Sequence, residues 1–102
     1  MLMHHDSKAL LDCMAACDAC VAACLDQPDR AACVRLCLDC ADLCMVSARL
    51  MARGSQFHQE LCALCADIAE ACAAECEKHD DEHCRSCAEA CHHCVADCRK
   101  MA

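Results

Sequence analysis

Seventeen of the 102 residues are cysteine, and their spacing matters more than their number. Cys13, Cys17, Cys20 and Cys24 recur 20 residues later as Cys33, Cys37, Cys40 and Cys44. Cys62, Cys65, Cys72 and Cys76 recur 22 residues later as Cys84, Cys87, Cys94 and Cys98. Cys91 falls opposite Ala69, the one break in the second repeat. Within each set the gaps are 4 and 3 in alternation once Ala69 is counted, which is the a/d seam of a bundle helix and puts each set on one face. Thiols in C-x-x-x-C and C-x-x-C pairs could form disulfides or bind metal. Pairs three or four residues apart on a helix have Cβ atoms ~5–6 Å apart, too far for a disulfide, which needs ~3.5–4.5 Å. A metal with ~2.3 Å thiolate bonds holds two sulfurs ~4.6 Å apart in a linear bridge, and inclined side chains reach that.

Soft thiolates select Cu(I), zinc and iron–sulfur clusters. Zinc takes four ligands, and its thiolate clusters usually leave excess negative charge, which is costly to bury. If each thiolate bridges two Cu(I), the ratio approaches about one metal per thiolate and each unit is neutral. A cysteine core can then fill without accumulating charge, so the residues favour multiple Cu(I). The ferredoxin run C-x₂-C-x₂-C-x₃-C-P is absent. So is the haem signature C-x-x-C-H, because Val21, Ala41, Ala66, Ala88 and Val95 follow the C-x-x-C pairs.

The elements that must carry these thiols are helices. One Gly and one Pro leave few turns, while Ala, Leu, Glu, Lys, Arg and Met favour helix. Four segments are expected: about 6–26, stopping before Pro28; 29–53, ended by Gly54; 55–78, with Ser55 as N-cap; and 80–100, with Asp81 and Glu82 at its start and Arg99 and Lys100 at its end. Short links between long helices make neighbours antiparallel. The expectation is an all-α, up-down-up-down four-helix bundle, one domain over 1–102, with a cysteine-lined core. Phe57 is the only aromatic, so sulfur must fill volume that aromatics usually occupy. A core without function would use Leu, Ile and Val, which fill space better.

The formal charge of −8 argues against nucleic acid and anionic membrane surfaces as partners. No segment approaches the ~20 apolar residues of a membrane span, and Met1–Asp6 lacks the pattern of a secretory signal. A cytoplasmic, reduced protein is expected, where dense cysteine suggests metal rather than disulfides. No serine–histidine–aspartate arrangement, carboxylate pair or phosphate loop suggests an enzyme. Thioredoxin-like redox chemistry would need a C-x-x-C opening a helix after a strand.

The runs Cys13-Met14-Ala15-Ala16-Cys17-Asp18-Ala19-Cys20 and Cys33-Val34-Arg35-Leu36-Cys37-Leu38-Asp39-Cys40 resemble those of the bacterial copper storage proteins, most closely their cytosolic branch. The resemblance covers nearly the whole chain. It implies a four-helix bundle, commonly a tetramer, with Cu(I) held along the core by the 17 cysteines. The break at Ala69 marks a local departure around Cys65, Cys72 and Cys91.

Extending the 3,4 rhythm identifies the ends of the tube. One end gathers Leu10, Asp6, Met3, Ser47, Met51, His58 and Met101, with His4 and His5 beside Met3 in sequence. Met3, Met51, His58 and Met101 would form a thioether and imidazole rim where copper enters; the alternative is that Met simply fills a tapering end. Pro28, His79, Asp80 and His83 fall at the other end, read as solvated although two histidines at i,i+4 could bind metal. His92 and His93 point off the seam, toward the surface. Leu36, Leu43 and Leu50, with Phe57, Leu61, Leu64 and Ile68, form apolar stripes on the second and third helices, where a homo-oligomer contact is expected, leaving the fourth helix to face water. Two other readings remain: a metallothionein-like zinc or mixed-metal buffer, and a structural protein stapled by cross-helix disulfides.

Overall fold

A computed structural model describes residues 7–101. They form α1 (Lys8–Cys24), α2 (Ala31–Ala52), α3 (His58–Cys76) and α4 (Glu82–Met101). α1 packs on α2 and α4, and α3 packs on the same two, so the helices close a ring around one axis. The result is a rod of 49 × 17 × 17 Å. No strand occurs among the described residues.

The turns follow from local chemistry. Gly54 ends α2 with a φ of 65°, a left-handed conformation that costs glycine little. Ser55 N–H donates to the Leu50 carbonyl at 2.9 Å and Gly54 N–H to the Met51 carbonyl at 3.1 Å, the paired bonds of a Schellman stop. The α1–α2 connection reverses at Pro28 and Asp29, and Asp29 also takes a positive φ, 61°. Ser55 does not cap α3 directly. Its hydroxyl accepts from Phe57 N–H at 3.1 Å and its carbonyl from His58 N–H at 3.3 Å, so a turn intervenes before the helix starts. α4 starts at Glu82 rather than near Asp80, with the Asp81 carbonyl accepting from Arg85 N–H at 3.0 Å.

The core is sulfur. All 17 cysteines are buried, joined by Leu10, Ser47, Met51 and alanines such as Ala66, Ala69, Ala73 and Ala88. The alanines let the helices approach closely enough for thiols to fill the interior. Leu36, Leu43, Ile68 and Val95 wedge against this core half-buried. On the outside, α2 exposes Leu38, Met45 and Val46, and Phe57 and Leu64 are exposed at and within α3. Leu11 and Leu25, at α1 and its end, are also exposed.

Candidate metal centre

The four cysteine faces converge on the axis, and all 17 thiols are free. Across helices, Cys13 and Cys40 approach to 3.6 Å between sulfurs, as do Cys33 with Cys76 and Cys37 with Cys72. Cys17 lies 3.7 Å from Cys87, Cys13 the same distance from Cys91, and Cys44 3.7 Å from Cys65. Cys94 links Cys44 at 3.8 Å, Cys65 at 3.9 Å and Cys98 at 3.9 Å. These separations are well beyond a disulfide bond of ~2.05 Å. They fall short of the ~4–4.6 Å between sulfurs around one metal in trigonal and linear thiolate sites with ~2.3 Å bonds, so side-chain rotation must spread the thiols to admit an ion.

The thiols assemble into groups whose ligand atoms lie within 4.8 Å of one another. Cys17, Cys37, Cys72 and Cys87 take one member from each helix. Cys20, Cys37, Cys76 and Cys87 form another group, and Cys13, Cys44 and Cys94 a third. Cys13, Cys17, Cys40 and Cys91 form a fourth with no member from α3. Cys13, Cys44 and Cys94 likewise draw nothing from α3, and Ala69, fully buried on the α3 face, stands where the 3,4 rhythm would place a further thiol. Successive groups share a cysteine, so the sites run together into a continuous column.

Burial pushes the Cys24, Cys62 and Cys84 thiols above the ordinary cysteine range, because desolvation disfavours the thiolate. Deeper in, thiols share protons: Cys13 is held down chiefly by its hydrogen bond with Cys17, and Cys17 is pushed up by the same contact. The column is therefore built to receive a cation in exchange for protons, since only thiolates ligate soft metal.

The two ends differ. At one, Cys20, Cys24, Cys84 and His83 form a mixed sulfur and nitrogen group, with His83 Nε2 3.4 Å from Cys24 Sγ. The expectation of a solvated end here is corrected: His83 is half-buried and turned inward. Its metal-binding chemistry was legible together with His79, but its inward turn was not, because it lies beside Cys84, off the 3,4 rhythm. A residue in the first turn of a helix can nonetheless fold across the mouth, and a histidine flanking the last thiol layer was the available signal. His79 instead lies 3.5 Å from Glu75. Arg30, the residue before α2, ion-pairs with Asp81 at 2.7 Å across the same mouth, and holds its carboxyl below the usual carboxylate range.

At the other end the seam continues through Leu10, Ser47 and Met51, all buried. The Ser47 hydroxyl donates to the Leu61 carbonyl at 3.4 Å. His58 and Met101 are half-buried, and His58 Nδ1 lies 3.1 Å from the Ser55 carbonyl. Met3, His4, His5 and Asp6 lie outside the described residues. His92 and His93 are exposed as expected, His92 paired with Glu77 at 2.8 Å.

Comparison with known proteins follows the same lines. The family model for copper storage proteins matches residues 2–102. The Cu(I)-bound copper storage protein BsCsp3 superposes with a TM-score of 0.90 at 46% identity, over 94% of this chain and 93% of that one. A cytosolic copper storage protein from Streptomyces lividans, solved with five coppers, gives 0.89 at 36% identity, over 93% of this chain and 87% of that one. The cysteine-rich protein YhjQ of Bacillus subtilis is 48% identical over 78 residues, 74% of this chain and 72% of its own length.

Proposed function

The chain belongs to the copper storage protein family, and from that premise we infer that it binds and stores multiple Cu(I) ions on thiolates lining the bundle core. The observation that carries the reading is the column of overlapping thiol groups, each with ligand atoms within 4.8 Å. Cu(I) is cargo here: each ion displaces thiol protons and is shared between neighbouring sulfurs, so charge does not build up as the column fills.

Finer assignments are part of the same proposal. The ligands are Cys13, Cys17, Cys20, Cys24, Cys33, Cys37, Cys40 and Cys44 from α1 and α2. From α3 and α4 they are Cys62, Cys65, Cys72, Cys76, Cys84, Cys87, Cys91, Cys94 and Cys98. His83 joins them at its mouth, supported by its 3.4 Å approach to Cys24. Met51, His58 and Met101, with Met3, are assigned to an opposite rim as soft ligands for incoming metal. The role is storage without catalysis, in one domain spanning 1–102. A cytosolic setting is supported by the Streptomyces lividans relative, which is described as cytosolic. Among the described residues no helix is long and apolar enough to cross a membrane. The apolar faces of α2 and α3 are proposed as a homo-oligomer contact, supported by the exposure of Leu38, Met45, Val46 and Leu64.

The deciding experiment is an anaerobic titration of reduced protein with Cu(I) against a competing chelator, with helicity followed by circular dichroism. Uptake approaching about one copper per thiol, with helices formed beforehand, is the expected result. Saturation after a few ions, or tighter tetrahedral zinc binding, would move the reading to a zinc buffer.

A further inference from the structure

At the histidine mouth the α1–α2 and α3–α4 connections face each other, and the Arg30–Asp81 pair joins them. Arg30 Nη2 donates to Asp81 Oδ2 at 2.7 Å, with side chains only 18% and 33% exposed. The same carboxylate oxygen lies 3.8 Å from His83 Nε2, which is itself 3.4 Å from Cys24 Sγ. Guanidinium, carboxylate, imidazole and thiol thus form a line from the surface to the last thiol of α1. Both charged partners are anchored. Arg30 Nη1 also donates to the Pro28 carbonyl at 3.5 Å, and the Asp81 carbonyl takes the Arg85 N–H that opens α4. Arg30 further lines a surface recess of about 360 Å³ together with Cys24, Gln27 and Arg35, so it borders a way to Cys24 from outside. The Arg99–Glu70 pair, which joins α4 to α3, is far more exposed, at 50% and 67%.

We propose that Arg30 is a positioning residue for copper exchange: through Asp81 it holds His83 against Cys24 and ties together the two connections framing this mouth, and so sets how fast Cu(I) passes between solvent and the terminal group. The proposal rests on the storage reading and adds a rate-setting latch to it. The step is a ligand exchange without electron transfer. A carrier thiolate–Cu(I) meets the Cys24 thiol, the copper–sulfur bond to Cys24 forms as the carrier's breaks, and the Cys24 proton leaves on the carrier thiol. The incoming group needs the mouth to open, and the ion pair opposes opening.

The test uses the full chain loaded with Cu(I) anaerobically, with release to excess bicinchoninate and uptake from its Cu(I) complex followed by stopped flow. Arg30→Gln and Asp81→Asn are each expected to speed both directions several-fold with the final copper count unchanged. The exchanged pair Arg30→Asp with Asp81→Arg, which keeps the tie between the connections but not the carboxylate beside His83, should restore the rates in part. Arg99→Gln should behave as wild type. Added salt should speed the wild type more than Arg30→Gln or Asp81→Asn, since it screens the pair only where the pair exists, and either variant serves for the comparison if the other folds poorly. Unchanged rates in Arg30→Gln, no restoration by the exchanged pair, or equal acceleration by Arg99→Gln would overturn the latch. The copper count of the wild type, read before any rate, separates failure of the storage reading from failure of this one.

Discussion

At the scale of single residues, His83 separates what spacing reveals from what it hides. The cysteines were legible because a strict 3,4 rhythm dictates a shared face, and each is buried on it. His83 obeys no rhythm. Its inward turn depends on how the first turn of α4 meets the end of α1, a tertiary relation that no local pattern encodes. In the terminal-ligand role proposed for it, it contributes to one group only, so His83→Ala should lower the saturating copper count by about one equivalent and leave the deeper sites unaffected. A chelator titration of the variant would show this, and an unchanged count with unchanged affinity for the last ion would remove His83 from the ligand set. The Arg30–Asp81 pair was likewise invisible, since its partners are 51 residues apart and neither sits on the seam.

At the scale of elements, the four helices and their order could be read from the cysteine repeat and the two breakers, Pro28 and Gly54. The ends were less legible. Ser55 has the chemistry of a cap but is spent on the turn before α3, and α1 begins at Lys8 and stops at Cys24, inside the expected span. Backbone exits depend on which carbonyls the next segment satisfies. The Ala69 break was legible and has a structural counterpart, because the group built on Cys13, Cys17, Cys40 and Cys91 draws nothing from α3. Ala69→Cys should therefore complete that layer and raise the copper count by about one equivalent. The site is fully buried, and the added sulfur should destabilise the apo protein by about 1 kcal/mol or somewhat more through overpacking. Copper titration and urea unfolding of the same sample test both halves, and a count that does not rise would show that the layer is already closed by its neighbours.

At the scale of the whole molecule, the rod is held together by groups that change state when it works. Burial raises the Cys24, Cys62 and Cys84 thiols, so in the folded apo protein they keep protons that the unfolded chain gives up. Their contribution to stability is complete below the unfolded thiol value of about 8.5 and is lost as pH climbs toward the raised folded values. The apo protein should thus melt at progressively lower temperature above about pH 8.5. The loaded protein, its thiols already deprotonated and tied to metal, should hold its melting temperature over the same range and exceed the apo form throughout. Thermal melts of both forms across that range decide it: parallel pH profiles would mean that thiol ionisation does not govern stability. The overlap between sulfur groups carries a last consequence. Because each group lends a cysteine to the next, an ion can be handed from site to site without ever meeting water. The contents then behave as one shared reservoir rather than a row of separate lockers. An ion withdrawn need not be the ion most recently admitted, and what the surroundings sense is how full the rod is, not which sites are occupied.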